Sequence, residues 1–132
     1  MQLYLVRHAD AAPGQPDELR RLSNEGRAEA RKLGERLAAD GVHPDAVLTS
    51  PLLRARETGA EVARLTGVDV RVDDRLAPGA TAEDVRGAIA GWGERVVVIG
   101  HQPDCSRIAA ALTGGDEPTF PPAGMIVIDL AD

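Results

Sequence analysis

Three short stretches of the chain carry residue types that could do chemistry. Arg7 and His8 follow the apolar run LYLV directly, with no turn residue between. The run RVVVIG ends in the same way, in His101. Between them, Ser50-Pro51-Leu52-Leu53-Arg54-Ala55 reads as a helix start, with Arg54 in its first turn. A guanidinium is a permanent cation with a planar fork of donors suited to carboxylate or phosphate. An imidazole titrates near neutral pH and serves as nucleophile, base or donor. A helix N-terminus presents free N–H groups and partial positive charge. Two arginines, two histidines and a helix N-terminus therefore describe a pocket for a dianion, above all a phosphoryl group. Each residue alone is ordinary, since arginines at helix starts are usually solvated and strand-end histidines often bond backbone. Their coincidence at the ends of successive strands is what carries the reading.

The elements that must position these residues follow from pattern. Residues 2–6 and 95–100 read as strands buried on both faces. If they are neighbours in a parallel sheet, His8 and His101 reach the same edge, where open α/β sheets bind ligands. Ser23 caps a helix over 24–39, with Ala28, Ala30, Leu33, Leu37 and Ala38 as its apolar stripe. A strand over 46–49 precedes a helix with Ser50 as N-cap and Pro51 at its first position, running to Thr66 and stopped by Gly67. Residues 68–72 alternate, which places that strand near an edge. Thr81, with Asp84 three positions on, caps a helix of about ten residues. Pro103 precedes a helix over 104–112, and 125–130 is a last strand. Strands alternating with helices predict an α/β three-layer sandwich, with a mostly parallel central sheet and helices on both faces. Residues 1–132 read as one domain.

Composition sets the frame. Apolar residues make up 43% and charged residues 27% of 132 residues, a globular balance, and with one Trp, one Tyr and one Phe the core must be aliphatic. The net charge of −6 argues against nucleic acid and anionic membranes as partners, so any phosphate must be met by a local basic pocket. The lone Cys105 excludes an internal disulfide framework, and no segment has the length of a membrane helix or the pattern of a signal peptide. A cytoplasmic protein, monomeric or weakly homo-oligomeric, is expected.

Arg7-His8-Ala9-Asp10-Ala11, Ser50-Pro51-Leu52-Leu53-Arg54-Ala55 with Thr58, and Gly100-His101-Gln102-Pro103 resemble the motifs of the histidine phosphatase superfamily. Within it the chain is similar to the small phosphohistidine phosphatases of the SixA type, whose segment before the first helix also matches Arg20, Leu22, Ser23 and Gly26. The resemblance implies the phosphoglycerate mutase-like fold and a metal-independent phosphatase without cofactors. Its substrate would be a phosphohistidine-bearing protein or, alternatively, a small phosphomonoester.

By that resemblance and by the chemistry, neutral His8 attacks phosphorus and is itself phosphorylated, and water then hydrolyses the intermediate. Its other ring nitrogen must hold a proton against an acceptor such as a carbonyl. Arg7, Arg54 and His101 hold the equatorial oxygens, with His101 most useful when protonated, a form that a bound dianion favours by raising its pKa, and Arg20 reaches substrate from the loop. Two departures stand out. Ala9 occupies a position that is usually glycine, acceptable if its φ stays negative. The acidic proton donor of larger members has no clear match, and Asp10, Asp74 and Asp104 are the nearest candidates. The rival readings are a metal-dependent hydrolase using His8, Asp10 and His101, and a phosphate-binding module without turnover.

Overall fold

Residues 1–131 are described by a computed structural model. The apolar runs become strands β1 (Gln2–Arg7), β2 (Ala46–Thr49), β3 (Val70–Val72), β4 (Arg95–Gly100) and β5 (Met125–Asp129). They form one sheet in the order β3-β2-β4-β1-β5, parallel except for β5, which runs antiparallel to β1. The alternating strand β3 lies at an edge, with Arg71 and Val72 exposed. Helices α1 (Asn24–Ala39), α2 (Leu53–Thr66), α3 (Ala82–Ile89) and α4 (Asp104–Thr113) complete the expected α/β three-layer sandwich.

Strand pleating builds the two cores. Leu3, Leu5, Val96 and Val98 pack on one face with Val85 and Ile89 of α3 and Ile108 of α4. Tyr4, Val6, Val97 and Ile99 face the other way, onto Leu33 and Leu37 of α1 and Val62 of α2. Each such burial stabilises the fold by about 1.5–3 kcal/mol. Gly67 ends α2 in the left-handed region at φ 77°, where a Cβ would be strained. Thr81 and Asp84 form a complete capping box, and α3 spans 8 residues rather than about ten because Ala90 leaves helical geometry.

Three local expectations are corrected. Ala28 and Ala38 are exposed, and the buried face of α1 is Gly26, Ala30, Leu33, Gly34 and Leu37. Small glycines, which carry no hydrophobic signal, hold that face because neighbours come close. A Cβ on Gly26 would collide with the Asp10 carbonyl. The third strand begins at Val70, not at residue 68, because the Val68 amide is taken by the Ala63 carbonyl at the end of α2. Finally, Ser50 does not cap α2: the N-cap is Leu52, without a side-chain cap. The Ser50 hydroxyl does accept the Leu52 amide at 3.2 Å, but its other partner is His101.

Candidate active site

The register of the sheet brings the chemistry together. Arg7 pairs with Gly100 across β1 and β4, so His8 and His101 leave the sheet side by side. The His8 amide donates to the Gly100 carbonyl at 3.0 Å, and the Ser50 amide, just past β2, donates to the Ile99 carbonyl at 3.1 Å. Three adjacent parallel strands thus deliver Arg7-His8, Ser50 and His101 to one edge. Arg54, in the first turn of α2, is only 8% exposed and points to the same place. Arg7, His8, Ala9, Asp10, Ala11, Arg20, Arg54 and Pro122 line a cleft of about 220 Å³.

His8 is held by a short relay of hydrogen bonds. Its Nδ1 lies 2.7 Å from the Ala9 carbonyl oxygen. A carbonyl only accepts, so Nδ1 carries the proton and Nε2 keeps a free lone pair. Ala9 is fixed in turn, since its amide donates to Thr58 Oγ1 at 3.0 Å and that hydroxyl donates to the Arg54 carbonyl at 2.8 Å. Ala9 is fully buried against Leu22 and Ala30 and avoids the left-handed region, so the methyl in place of glycine fits without strain. Burial first, then the Arg54 and Arg7 charges, hold the His8 imidazole below its ordinary pKa, against the pull of the Ala9 carbonyl. The ring is therefore neutral at pH 7, as a nucleophile must be.

His101 sits behind His8 and is 4% exposed. Burial first, then repulsion from His8 when it is protonated and from Arg54, lowers its pKa to about 4. The unliganded protein thus holds this imidazole neutral. Its Nε2 is 2.7 Å from Ser50 Oγ, which already accepts the Leu52 amide and so has its own proton to give. The neutral ring is then assigned its proton on Nδ1. Among the described residues, three buried side-chain atoms have no partner, namely His101 Nδ1, Arg7 Nε and Thr49 Oγ1. Buried donors normally have acceptors, and here two such orphans belong to side chains flanking His8. The other end of Arg7 is anchored, with one terminal nitrogen donating to the Phe120 carbonyl at 2.9 Å.

The remaining candidates divide. Arg20 lines the cleft and is steadied by its Nε donating to the Ala12 carbonyl at 2.9 Å. Asp10 also lines it, but its carboxylate accepts the Ser23 hydroxyl at 2.7 Å and its amide donates to Glu29. Asp74 and Asp104 do not line the cleft. Asp74 is exposed in a 3₁₀ turn, Asp74–Leu76, and the buried Asp104 carboxylate accepts the Gly79 amide at 2.7 Å. Among the described residues, no three His, Cys, Asp or Glu side chains gather as a metal cluster, so His8, Asp10 and His101 do not converge as ligands. Cys105 is buried at the start of α4, its thiol pushed up to about 12 by burial. Trp92 is partly exposed, with the Arg71 guanidinium 5.0 Å from its ring centre, and His43 is exposed in its loop.

Sequence reasoning missed Asp17. It lies in the 3₁₀ turn Asp17–Leu19, and both its carbonyl and its carboxylate accept from Arg54, which lines the cleft. Glu57 was also missed. It accepts the Leu22 amide at 2.8 Å and ties the returning loop to α2. Nothing in the sequence pattern pointed to either.

An α/β sandwich with two histidines and three arginines at one sheet edge has known counterparts. The profile of the histidine phosphatase superfamily (branch 1) matches residues 3–78, and the chain belongs to that superfamily. It is 30% identical over 125 residues to phosphohistidine phosphatase SixA of Escherichia coli, covering 89% of this chain and 78% of that one. The structure of the protein histidine phosphatase SixA complexed with tungstate superposes with a TM-score of 0.88 at 28% identity, over 98% of this chain and 88% of that chain. The putative phosphohistidine phosphatase SixA from Agrobacterium tumefaciens gives 0.85 at 30% identity, over 98% and 90%. The protein is a phosphatase with the phosphoglycerate mutase-like fold.

Proposed function

We propose that this protein removes the phosphoryl group from phosphohistidine on a partner protein, through a phosphorylated His8. The observation that carries the reading is the fixed tautomer of His8: with Nδ1–H on the Ala9 carbonyl at 2.7 Å, Nε2 is free to attack. Attack forms the Nε2–P bond as the bond to the leaving group breaks. Water then attacks phosphorus, the N–P electron pair returns to Nε2, and inorganic phosphate departs. Arg7, Arg20 and Arg54 hold the oxyanion in the cleft, and the orphan donors Arg7 Nε and His101 Nδ1 are matched to charge that develops on the equatorial oxygens. A bound dianion beside His101 favours its protonated form and would raise its pKa from the low value of the free protein.

Leaving-group chemistry favours phosphohistidine over esters. Among the described residues, Asp10 is the one carboxylate lining the cleft, and Ser23 engages it. Asp17 is held ionised by its arginine partners, Arg20 first. An alkyl ester leaves as an alkoxide unless an acid protonates its oxygen, whereas a phosphorylated imidazole that holds a proton on its far nitrogen leaves as neutral imidazole. General acid assistance is worth about 10²–10⁴-fold, so its absence separates the substrates steeply. The test is kcat/KM for a phosphohistidine protein, an aryl phosphate and an alkyl phosphate, with EDTA present. The expected order is the order just given, with EDTA without effect. An alkyl phosphate as good as the others would contradict the substrate assignment, and loss of activity in EDTA would contradict a metal-independent mechanism. A cytoplasmic setting suits a lone buried thiol and is part of the same proposal.

A further inference from the structure

Asp17 is placed where a substrate oxyanion would be expected to compete. Its Oδ2 accepts from Arg54 at 3.3 Å, its Oδ1 accepts from Arg20 at 3.1 Å, and its backbone carbonyl accepts a second Arg54 donor at 3.0 Å. One carboxylate thus spans two cationic side chains of the cleft, as two oxygens of a phosphoryl group could. We propose that Asp17 is an internal competitor for the phosphoryl group, setting the affinity of the cleft for oxyanions and so easing the release of inorganic phosphate. The inference rests on the phosphatase reading of the cleft given above.

The carboxylate can yield without unfolding anything. The Asp17 side chain is 63% exposed, while Arg54 is almost wholly buried. The 3₁₀ turn is fastened independently, through the Asp17 carbonyl on Arg54, the Ala12 amide on the Arg21 carbonyl and Arg20 Nε on the Ala12 carbonyl. Rotation of one exposed side chain therefore frees a donor on each arginine and leaves the loop in place. Exposed ion pairs are individually weak, so the competitor trims affinity rather than closing the cleft. A fixed negative charge beside the two arginines also lowers the attraction they exert on a dianion, an effect that salt screens.

The experiment is a direct binding titration of inorganic phosphate to the wild-type chain and to Asp17→Asn, at low and at high sodium chloride. The amide keeps the shape and one acceptor but removes the charge. The expected result is phosphate binding about three- to tenfold tighter in Asp17→Asn, with the difference shrinking at high salt, and Asp17→Ala behaving in the same way. Equal or weaker binding by the variants would overturn the inference and show that Asp17 only positions Arg54. Failure of phosphate to bind the wild-type chain and the variants alike would overturn the reading of the cleft itself, and this inference with it.

Discussion

The rings of His8 and His101 meet edge to face, their centroids 5.2 Å apart and their planes at 61°. The contact is set by backbone register, since Arg7 pairs with Gly100 and each histidine is the next residue. Two neutral imidazoles can share that space, but two imidazolium rings would repel. His8 is accordingly among the causes that lower the pKa of His101 to about 4.

Acid therefore costs this fold stability. His101 ordinarily titrates near 6.5 but in the folded chain only near 4, so between those values the unfolded state binds the extra proton. Stability is full above about pH 6.5 and falls as the pH drops towards 4, by about 3 kcal/mol from this residue. His8, shifted in the same direction, adds to the slope. Denaturant unfolding at pH 7 and pH 5 should show the loss, and His101→Asn should flatten the difference. Equal stability at the two pH values would contradict the neutral state of both rings.

Arg54→Ala should weaken vanadate binding and slow turnover together. Removing one preorganised donor to a developing oxyanion costs about 3–4 kcal/mol, or 10²–10³ in kcat. Arg54→Lys should recover part of this, because an ammonium lacks the fork that reaches both the cleft and Asp17. Unchanged steady-state kinetics in Arg54→Ala would place the residue outside the chemistry.

Thr58 does not itself line the cleft, yet it holds two residues that do, Ala9 and Arg54. Thr58→Val leaves the buried Ala9 amide without its acceptor, at a cost of about 1–3 kcal/mol in stability. The larger sign of a positioning role is kinetic: kcat should fall while KM changes little, because the His8 ring loses its fixed carbonyl partner. Thr58→Ser should restore both. A variant that is less stable but has normal kcat would reduce Thr58 to a structural residue.

Strand ends were the readable part of this site. LYLV and RVVVIG are apolar on both faces, so the abrupt arrival of Arg7-His8 and His101 marks the sheet edge in the sequence itself. Ser50 misled for a physical reason. Ser-Pro before a helix is the usual capping signature, but an imidazole from the neighbouring strand lies within 2.7 Å and draws the hydroxyl to itself. Gly26 and Gly34 were invisible to a hydrophobic pattern although both are buried on α1. Asp17 was unreadable because its partner Arg54 lies 37 positions away in a different element, and a Pro- and Gly-rich loop has no period from which to infer where a side chain will land.

The central claim is that His8 carries the phosphoryl group. Rapid quench of the wild-type chain during turnover, at alkaline pH where phosphorylated imidazole survives, followed by mass spectrometry of the peptides, tests it most directly. The account predicts a transient phosphoryl group on His8, formed faster than turnover. It also predicts that His8→Ala loses both the adduct and the turnover while still binding vanadate through Arg7, Arg54 and His101. Turnover within tenfold of wild type in His8→Ala, or a phosphoryl group trapped on another residue and never on His8, would contradict it.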